Sequence, residues 1–315
     1  MKRTFTVLLL LFFICMANYS MANESLENNV VYMKNLITGE ITEINLNDYM
    51  DDLENVSNQP YNPKEILERG HFLNDGIIYH PYEIIPGGSN LITAIVGTDD
   101  RYYSDITQFP YKCIGFFGID YGNGNGTAFL VDDNIAVTAA HCVVGHDNFF
   151  FYPGSTNPTH PYGEAEVTAY IWAGEENYTG DGDYEDDWAV LILDTNVGNN
   201  AGWFGVSNLA EIPNGPSSWV GLNARTAGYP FDANLNQMAS EGNILTATDK
   251  VMTHNVDVRR GNSGGPIFRY SGDYYAYAVA TGEEEDTDYL SYTYNYATRF
   301  SSLAYYAIMY GKANY

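Results

Sequence analysis

Basic residues and cysteines are scarce in this chain. Its 315 residues include 14 Lys and Arg against 40 Asp and Glu, which gives a formal net charge of −26. Nucleic-acid binding needs clustered cationic side chains to neutralise phosphates, so this composition argues against a nucleic-acid partner. Cationic substrates or an acidic environment fit it better.

An apolar run opens the chain. The basic head MKR precedes TFTVLLLLFFICMA, and the small residues Ser20 and Ala22 follow. The run is too short and wrongly flanked for a stable membrane span, so we predict a secretory signal peptide over residues 1–22. An uncleaved membrane anchor is the alternative. Secretion, with no membrane attachment after signal removal, is the expected localisation.

Three cysteines are present, and Cys15 lies inside the signal segment. Cys113 and Cys142 therefore remain in the exported chain. Exported proteins that keep a pair of thiols often bond them. The sequence leaves open whether these two form a disulfide or stay as separate buried thiols.

The amino-acid composition of the chain changes near residue 94. Residues 23–94 are polar, end in the turn-like PGGSN, and are interpreted as a segment outside the main domain. Short β-rich runs separated by Gly, Asn and Pro follow, which predicts an all-β sandwich or barrel. Only the end looks helical, with apolar residues at helical spacing: Leu303, Tyr306, Ala307 and Tyr310.

Two short motifs could carry chemistry. His141 follows the apolar run Ile135 to Val137 within VTAAHC, and Ser263 lies between glycines in GNSGGPIF. Flanking glycines let the backbone turn sharply and let a substrate carbonyl approach the neighbouring N–H groups. Ser263 is thus a candidate nucleophile, with the N–H groups of Gly261 and Ser263 as candidate oxyanion-hole donors. A glycine-rich hairpin turn would give the same local pattern.

Chain order separates two classes of serine hydrolase. In an α/β-hydrolase the histidine follows the serine, but all six histidines here precede Ser263. The order His, Asp, Ser requires a carboxylate between His141 and Ser263. Asp187 meets this requirement, because it directly precedes the apolar run Trp188 to Leu193. Asp186 is the neighbour most easily confused with it.

TAAHC, DWAVL and GNSGGP together resemble the motifs around the catalytic residues of trypsin-fold serine proteases, and the resemblance covers about residues 94–310. It is closest to the bacterial glutamyl endopeptidase branch, since IVGTDDR (95–101) is similar to the start of the mature bacillary enzymes and AGYPFD is similar too. The resemblance implies two antiparallel β-barrels, about residues 95–205 and 206–300, with the active site in the cleft between them and a short C-terminal helix. It implies a secreted serine endopeptidase with His141 as general base, Asp187 as its orienting carboxylate and Ser263 as nucleophile. Residues 23–94 take the place of a propeptide, and residues 95–315 that of the protease domain.

The substrate pocket departs from that branch. Glutamyl endopeptidases place a histidine where this chain has Ala280, which is followed by Thr281 and Gly282. Val258 stands where a threonine is often found in the branch. Asp257 lies six residues before Ser263, where trypsin-like enzymes carry the aspartate that binds Lys or Arg. We therefore expect a slight preference for Lys or Arg over Glu or Asp at the cleaved position, unless His254, Arg259 or Arg260 reaches into the pocket.

The cysteines depart from the family as well. Its members often bridge the cysteine after the catalytic histidine to a strand position that holds Gly126 or a neighbour here, whereas Cys113 lies one strand earlier. The series Asp181, Asp183 and Glu185 could bind calcium, although a solvated acidic loop is the favoured interpretation and no cofactor is expected. The expected partners are protein or peptide substrates of a monomeric enzyme. A protease-like binding protein without activity is the alternative function.

Overall fold

The computed structural model describes residues 29–62, 95–122, 124–174, 184–207, 215–283 and 294–315. The predicted signal peptide over 1–22 lies outside the described residues, as do Asp181 and Asp183 of the possible calcium series. Among the described residues, no helix is long and apolar enough to cross a membrane.

Two closed antiparallel barrels of six strands each form the body of the molecule. The strands of the first barrel are β4 (Ile114–Ile119), β5 (Gly124–Leu130), β6 (Ile135–Thr138), β7 (Phe149–Pro153), β8 (Ala165–Trp172) and β9 (Ala189–Leu193). Pairing of β8 with β9 closes it. Those of the second barrel are β11 (Asn223–Gly228), β12 (Met238–Ala247), β13 (Val251–His254), β14 (Pro266–Tyr270), β15 (Tyr274–Glu283) and β16 (Asn295–Arg299). Pairing of β15 with β16 closes it, and the predicted all-β class with two barrels is confirmed.

Four further strands extend these sheets. β1 (Val30–Asn35) and β2 (Ile41–Asn45) form a hairpin on the first barrel, while β3 (Tyr102–Tyr103) and β10 (Gly205–Val206) pair with the second. The helices are short apart from the last one: α1 (Met50–Leu53), α2 (Gly198–Ala201) and α3 (Ser302–Asn314). The hydroxyl of Ser301 caps α3 by accepting from the N–H of Ala304. The predicted C-terminal helix is thereby confirmed.

Residues 29–62 are packed against the barrels. β1 pairs with β8, and Val31 and Leu46 are fully buried in the same apolar core as the first barrel. The prediction that residues 23–94 lie outside the main domain is therefore wrong for this part. The polar composition of residues 29–62 does not indicate this packing, because a strand that adds to a sheet edge needs backbone N–H and C=O groups and only a few apolar side chains.

Candidate active site

The first barrel brings His141 and Asp187 together. His141 lies in the tight turn Ala140–Cys142 that follows β6, and Asp187 lies just before β9. Because Thr138 pairs with Ala189, the end of one strand and the start of the other lie side by side. The imidazole Nδ1 is 2.7 Å from Asp187 Oδ2, and the backbone N–H of His141 donates to Asp187 Oδ1 at 2.9 Å.

This geometry fixes the tautomer of the imidazole. Asp187 is only 2 % exposed, and an ionised carboxylate can only accept hydrogen bonds, so Nδ1 carries the proton and Nε2 is left to accept one. Burial of the ring disfavours the imidazolium, but the Cys142 sulfur and the Asp187 carboxylate outweigh burial and raise the pKa of His141 well above its ordinary value.

Asp186 has a different partner. Its Oδ2 atom is 3.1 Å from the ammonium of Lys250, which also pairs with Glu185 at 3.5 Å. The two neighbouring carboxylates therefore point to different barrels, and Asp187 is the one that holds the histidine.

The Ser263 loop depends on glycine for its shape. Gly261 and Gly264 have φ angles of +101° and +86°, and a Cβ atom at either position would lie 2.4 Å or less from a backbone oxygen. Only glycine adopts such a backbone without strain in so little space. The glycines that marked the motif in the sequence are thus required by its conformation.

Thr127, a residue that sequence reasoning missed, fastens this loop to the first barrel. It lies on β5 and is fully buried. Its N–H donates to Ser263 O at 2.8 Å, and its hydroxyl donates to Gly261 O at 2.8 Å. The only sequence signal for it is a hydroxyl in the otherwise apolar run GTAFLV. Ser263 O also lies 4.0 Å from Cys142 Sγ, which places the serine loop beside the turn that carries His141.

Two backbone N–H groups of the loop are free for a ligand. Asn262, Gly264 and Gly265 each donate to a backbone carbonyl at 2.8 Å. Within the described part of the chain, the N–H groups of Gly261 and Ser263 have no acceptor. These are the two predicted oxyanion-hole donors, and an unpaired pair of donors beside a serine hydroxyl can stabilise a developing oxyanion.

A cavity of about 210 Å³ adjoins Ser263. Its lining combines the serine loop with one edge of β15: Val258, Arg259, Arg260, Asn262, Ser263, Ala280, Thr281 and Gly282. Ala280, Thr281 and Gly282, which the sequence placed in the substrate pocket, line this cavity. Arg259 and Arg260 line the cavity as well. Arg259 Nε is 3.2 Å from Asp232 Oδ2, and the exposed guanidinium of Arg260 lies 5.8 Å from the centre of the Phe231 ring.

Asp257 does not lie at the base of the substrate pocket, where the sequence predicted it. It does not line the cavity and is only 2 % exposed. Its Oδ1 and Oδ2 atoms accept the backbone N–H groups of Val96 and Asp100 at 2.7 and 3.1 Å. A carboxylate with both oxygens occupied by backbone N–H groups holds the stretch 95–101 in place and offers nothing to a substrate cation. Spacing from Ser263 alone could not reveal a contact with a segment about 160 residues earlier in the chain.

His254 lies inside the second barrel and does not line the cavity. Its ring on β13 is fully buried. Burial lowers the pKa of His254 to about 4, so the ring is neutral near pH 7. It therefore supplies no positive charge to the substrate site.

Cys113 and Cys142 are free buried thiols, so the disulfide that the sequence left open is not formed. Cys113 Sγ donates to Pro110 O at 3.0 Å. Cys142 faces Gly126 instead: a Cβ atom built at Gly126 would lie 3.1 Å from Cys142 Sγ and 3.9 Å from its Cβ. The strand position where the family often has the partner cysteine is thus opposite Cys142, but it holds glycine.

Known proteins match this chain in sequence and in fold. An extracellular metalloprotease of Bacillus subtilis (strain 168) is 29% identical over 231 residues, which is 68% of this chain and 70% of that protein. A Glu endopeptidase solved in complex with MPD superposes with a TM-score of 0.60 at 22% identity, covering 70% of this chain and all of that one. Among the described residues, no group of three or more His, Cys, Asp and Glu side chains is placed to hold a metal ion. The trypsin family model matches residues 107–306, more than half of the chain, and the chain therefore belongs to the trypsin family of serine endopeptidases.

Proposed function

We propose that this enzyme cleaves peptide bonds with Ser263 as nucleophile, His141 as general base and Asp187 as its orienting carboxylate. The observation that carries the proposal is the pair of contacts between His141 and Asp187, which occupies both carboxylate oxygens. Two further observations support the same assignment. The Ser263 loop lies beside the turn that carries His141, and the N–H groups of Gly261 and Ser263 are free to bind an oxyanion.

The chemistry follows from these positions and uses side chains and backbone groups only. His141 Nε2 takes the hydroxyl proton as Ser263 Oγ bonds to the peptide carbonyl carbon, and the N–H groups of Gly261 and Ser263 receive the oxyanion. The C–N bond then breaks, and the imidazolium gives its proton to the leaving amine. Water, deprotonated by His141, attacks the acyl-enzyme and releases the carboxylic acid and the free serine. Asp187 remains ionised throughout and stabilises the imidazolium.

Substitution of the serine tests this assignment. Ser263→Ala should lower kcat on the order of 10⁶-fold, as in other triad knockouts, while the fold is kept. Ser218→Ala, at an exposed position, is the control and should keep full activity. A fluorophosphonate that bonds to activated serines should label the wild type cleaved before Ile95 and not Ser263→Ala cleaved in the same way. Absence of label on the cleaved wild type would favour the alternative of a binding protein without activity.

We also infer that the enzyme is exported and made as a zymogen that is cleaved before Ile95. The contacts of Asp257 with Val96 and Asp100 support this inference, because they hold the start of the proposed mature chain against the wall of the cavity. Val96 also packs on the cavity residue Val258. N-terminal sequencing of the chain that carries Ser263, isolated from active material, should begin close to Ile95. An active chain that runs unbroken from near Asn23 through Ser263 would contradict the zymogen proposal.

For the cleaved position, we propose a preference for acidic residues in place of the one that the sequence suggested. Two observations support it: Asp257 is occupied by backbone N–H groups, and two arginines line the cavity, where no described Asp or Glu does. Arg260 has no carboxylate partner among the described ion pairs, so its charge is available to a substrate.

Paired peptides that differ only in Glu or Arg at the cleaved position test this preference. The wild type should cleave after Glu faster than after Arg. Arg260→Gln should reduce that ratio, whereas Arg269→Gln, which lies outside the cavity and over the Trp219 ring, should not. Faster cleavage after Arg by the wild type would restore the expectation drawn from the sequence.

A further inference from the structure

The docked segment, residues 29–62, covers an edge of the first barrel. β1 pairs with residues 169–172 of β8, while β9 pairs with the opposite edge of the same residues. The N–H of Leu36 extends the contact by donating to Thr168 O at 2.8 Å. Without the docked segment, an apolar stretch of β8 would present unpaired N–H and C=O groups to solvent, which favours aggregation.

Apolar side chains anchor the docked segment along its length. Val31, Ile44, Leu46 and Leu53 are all buried within the core of the first barrel, each at most 5 % exposed. The ring of Tyr32 lies 5.7 Å from that of Trp172, and that of Tyr49 lies 4.9 Å from that of Tyr310 on α3. Buried side chains of this kind hold a segment in place whether or not its chain continues beyond them.

The end of the docked segment reaches the second barrel. The N–H of Tyr61 donates to Trp203 O at 3.0 Å, and Asn58 O accepts from Val206 N at 2.9 Å. Gln59 Oε1 accepts from the hydroxyl of Tyr275 at 2.8 Å. Lys312 of α3 donates to Ser57 O at 2.5 Å. The docked segment thus bonds to the first barrel, the C-terminal helix and the second barrel in turn.

The contacts described for the docked segment are hydrogen bonds, ion pairs and ring contacts. None of them involves His141, Asp187 or a residue that lines the substrate cavity. From this we infer that residues 29–62 remain bound after cleavage before Ile95, so that the active enzyme is a complex of two chains and β8 with α3 is the docking surface for the released segment. The inference rests on the proposed cleavage site and goes beyond the proposed catalytic chemistry. The bound segment stabilises the enzyme and does not inhibit it.

The test uses full-length Ser263→Ala in which the recognition sequence of a site-specific processing protease lies immediately before Ile95. Cleavage is then independent of the enzyme's own activity. After cleavage, size-exclusion chromatography at micromolar concentration and intact-mass analysis should find the N-terminal fragment and residues 95–315 in equimolar amounts in one peak. The inference would be overturned if the unsubstituted N-terminal fragment elutes by itself and residues 95–315 have the same unfolding temperature without it as with it.

Two isoleucines on β2 provide a matched pair of variants. Ile44→Asp buries a charge, since Ile44 is 5 % exposed, whereas Ile41 is 38 % exposed. Ile44→Asp should lower retention of the fragment on the order of tenfold or more, and Ile41→Asp should leave it unchanged; equal retention in both would contradict the anchoring. If Ile44→Asp fails to fold, dilution of the cleaved parent into the nanomolar range measures the same dissociation. Fluorophosphonate labelling of the cleaved protein that keeps Ser263 tests the catalytic assignment independently of whether the fragment stays bound.

Discussion

At the scale of single residues, the environment of His141 predicts the pH dependence of the enzyme. Although burial opposes protonation, the Cys142 sulfur and the Asp187 carboxylate raise the pKa of the ring well above 6.5. Only the neutral imidazole can act as a base, so activity is lost as the pH falls through this raised pKa. We therefore expect the acid limb of the kcat/KM profile to lie above pH 6.5.

The neighbouring aspartates allow a matched test of the cause. Asp187→Asn should move the acid limb to lower pH and reduce kcat on the order of 10⁴-fold, because the ring loses its counter-ion and its correct tautomer. Asp186→Asn should do neither, since Asp186 pairs with Lys250. An acid limb that stays in place in Asp187→Asn would show that the carboxylate does not set the pKa.

Asp257 gives a second prediction for a single residue. In Asp257→Ser the N–H groups of Val96 and Asp100 lose their acceptor, and each hydrogen bond of this partly buried kind contributes roughly 0.5–1.5 kcal/mol. We expect a lower unfolding temperature and a lower kcat/KM, with the ratio of rates on Glu and Arg peptides unchanged. If the variant instead loses its cleavage after Arg alone, Asp257 acts as the base of the pocket after all.

At the scale of strands and turns, the sequence predicted features that are formed by a few consecutive residues. TAAHC, DWAVL and GNSGGP each combine a strand end with its turn, so the residue types and their order located His141, Asp187 and Ser263. Contacts between distant parts of the chain could not be predicted in this way. Thr127 and Gly261 are 134 positions apart. Strand β12 has the sequence MASEGNILTA, in which polar residues and glycine are as numerous as the apolar ones and do not alternate with them, so no apolar pattern marks it as a strand.

Strand β5 provides a prediction at this scale. The Cβ separation of 3.9 Å between position 126 and Cys142 matches a disulfide, for which about 3.8 Å is typical. Gly126→Cys should therefore bond to Cys142 under oxidising conditions and stabilise the fold by up to about 3 kcal/mol. Thiol titration should find only Cys113 free in the oxidised variant, and reductant should abolish the gain in unfolding temperature.

Gly124→Cys is the control on the same strand. A Cβ atom there would contact the side chain of Ile119 at 3.6 Å and has no cysteine in reach. This variant should keep all its thiols free. A Gly126→Cys protein that also keeps all its thiols under oxidising conditions would mean that the two strands cannot approach as closely as a disulfide requires.

At the scale of the whole molecule, the excess of negative charge sets the response to salt. With 40 acidic and 14 basic side chains, most carboxylates repel one another at neutral pH, and the compact state concentrates this repulsion. The screening length falls from about 30 Å at 0.01 M to about 8 Å at 0.15 M salt. Exposed ion pairs such as that of Lys34 with Asp147 would be weakened by salt as well, but such pairs contribute little to stability.

We therefore expect sodium chloride to raise the unfolding temperature at pH 7 between these two concentrations. A gain of about 1 kcal/mol corresponds to roughly 2–4 °C for a domain of this size. Calorimetry at the same two salt concentrations near pH 4.2, the isoelectric point, is the control, because there the net charge and the repulsion that salt screens are both close to zero. An equal rise at both pH values would assign the effect to specific ion binding, and a fall at pH 7 would mean that the ion pairs outweigh the repulsion of the unpaired carboxylates.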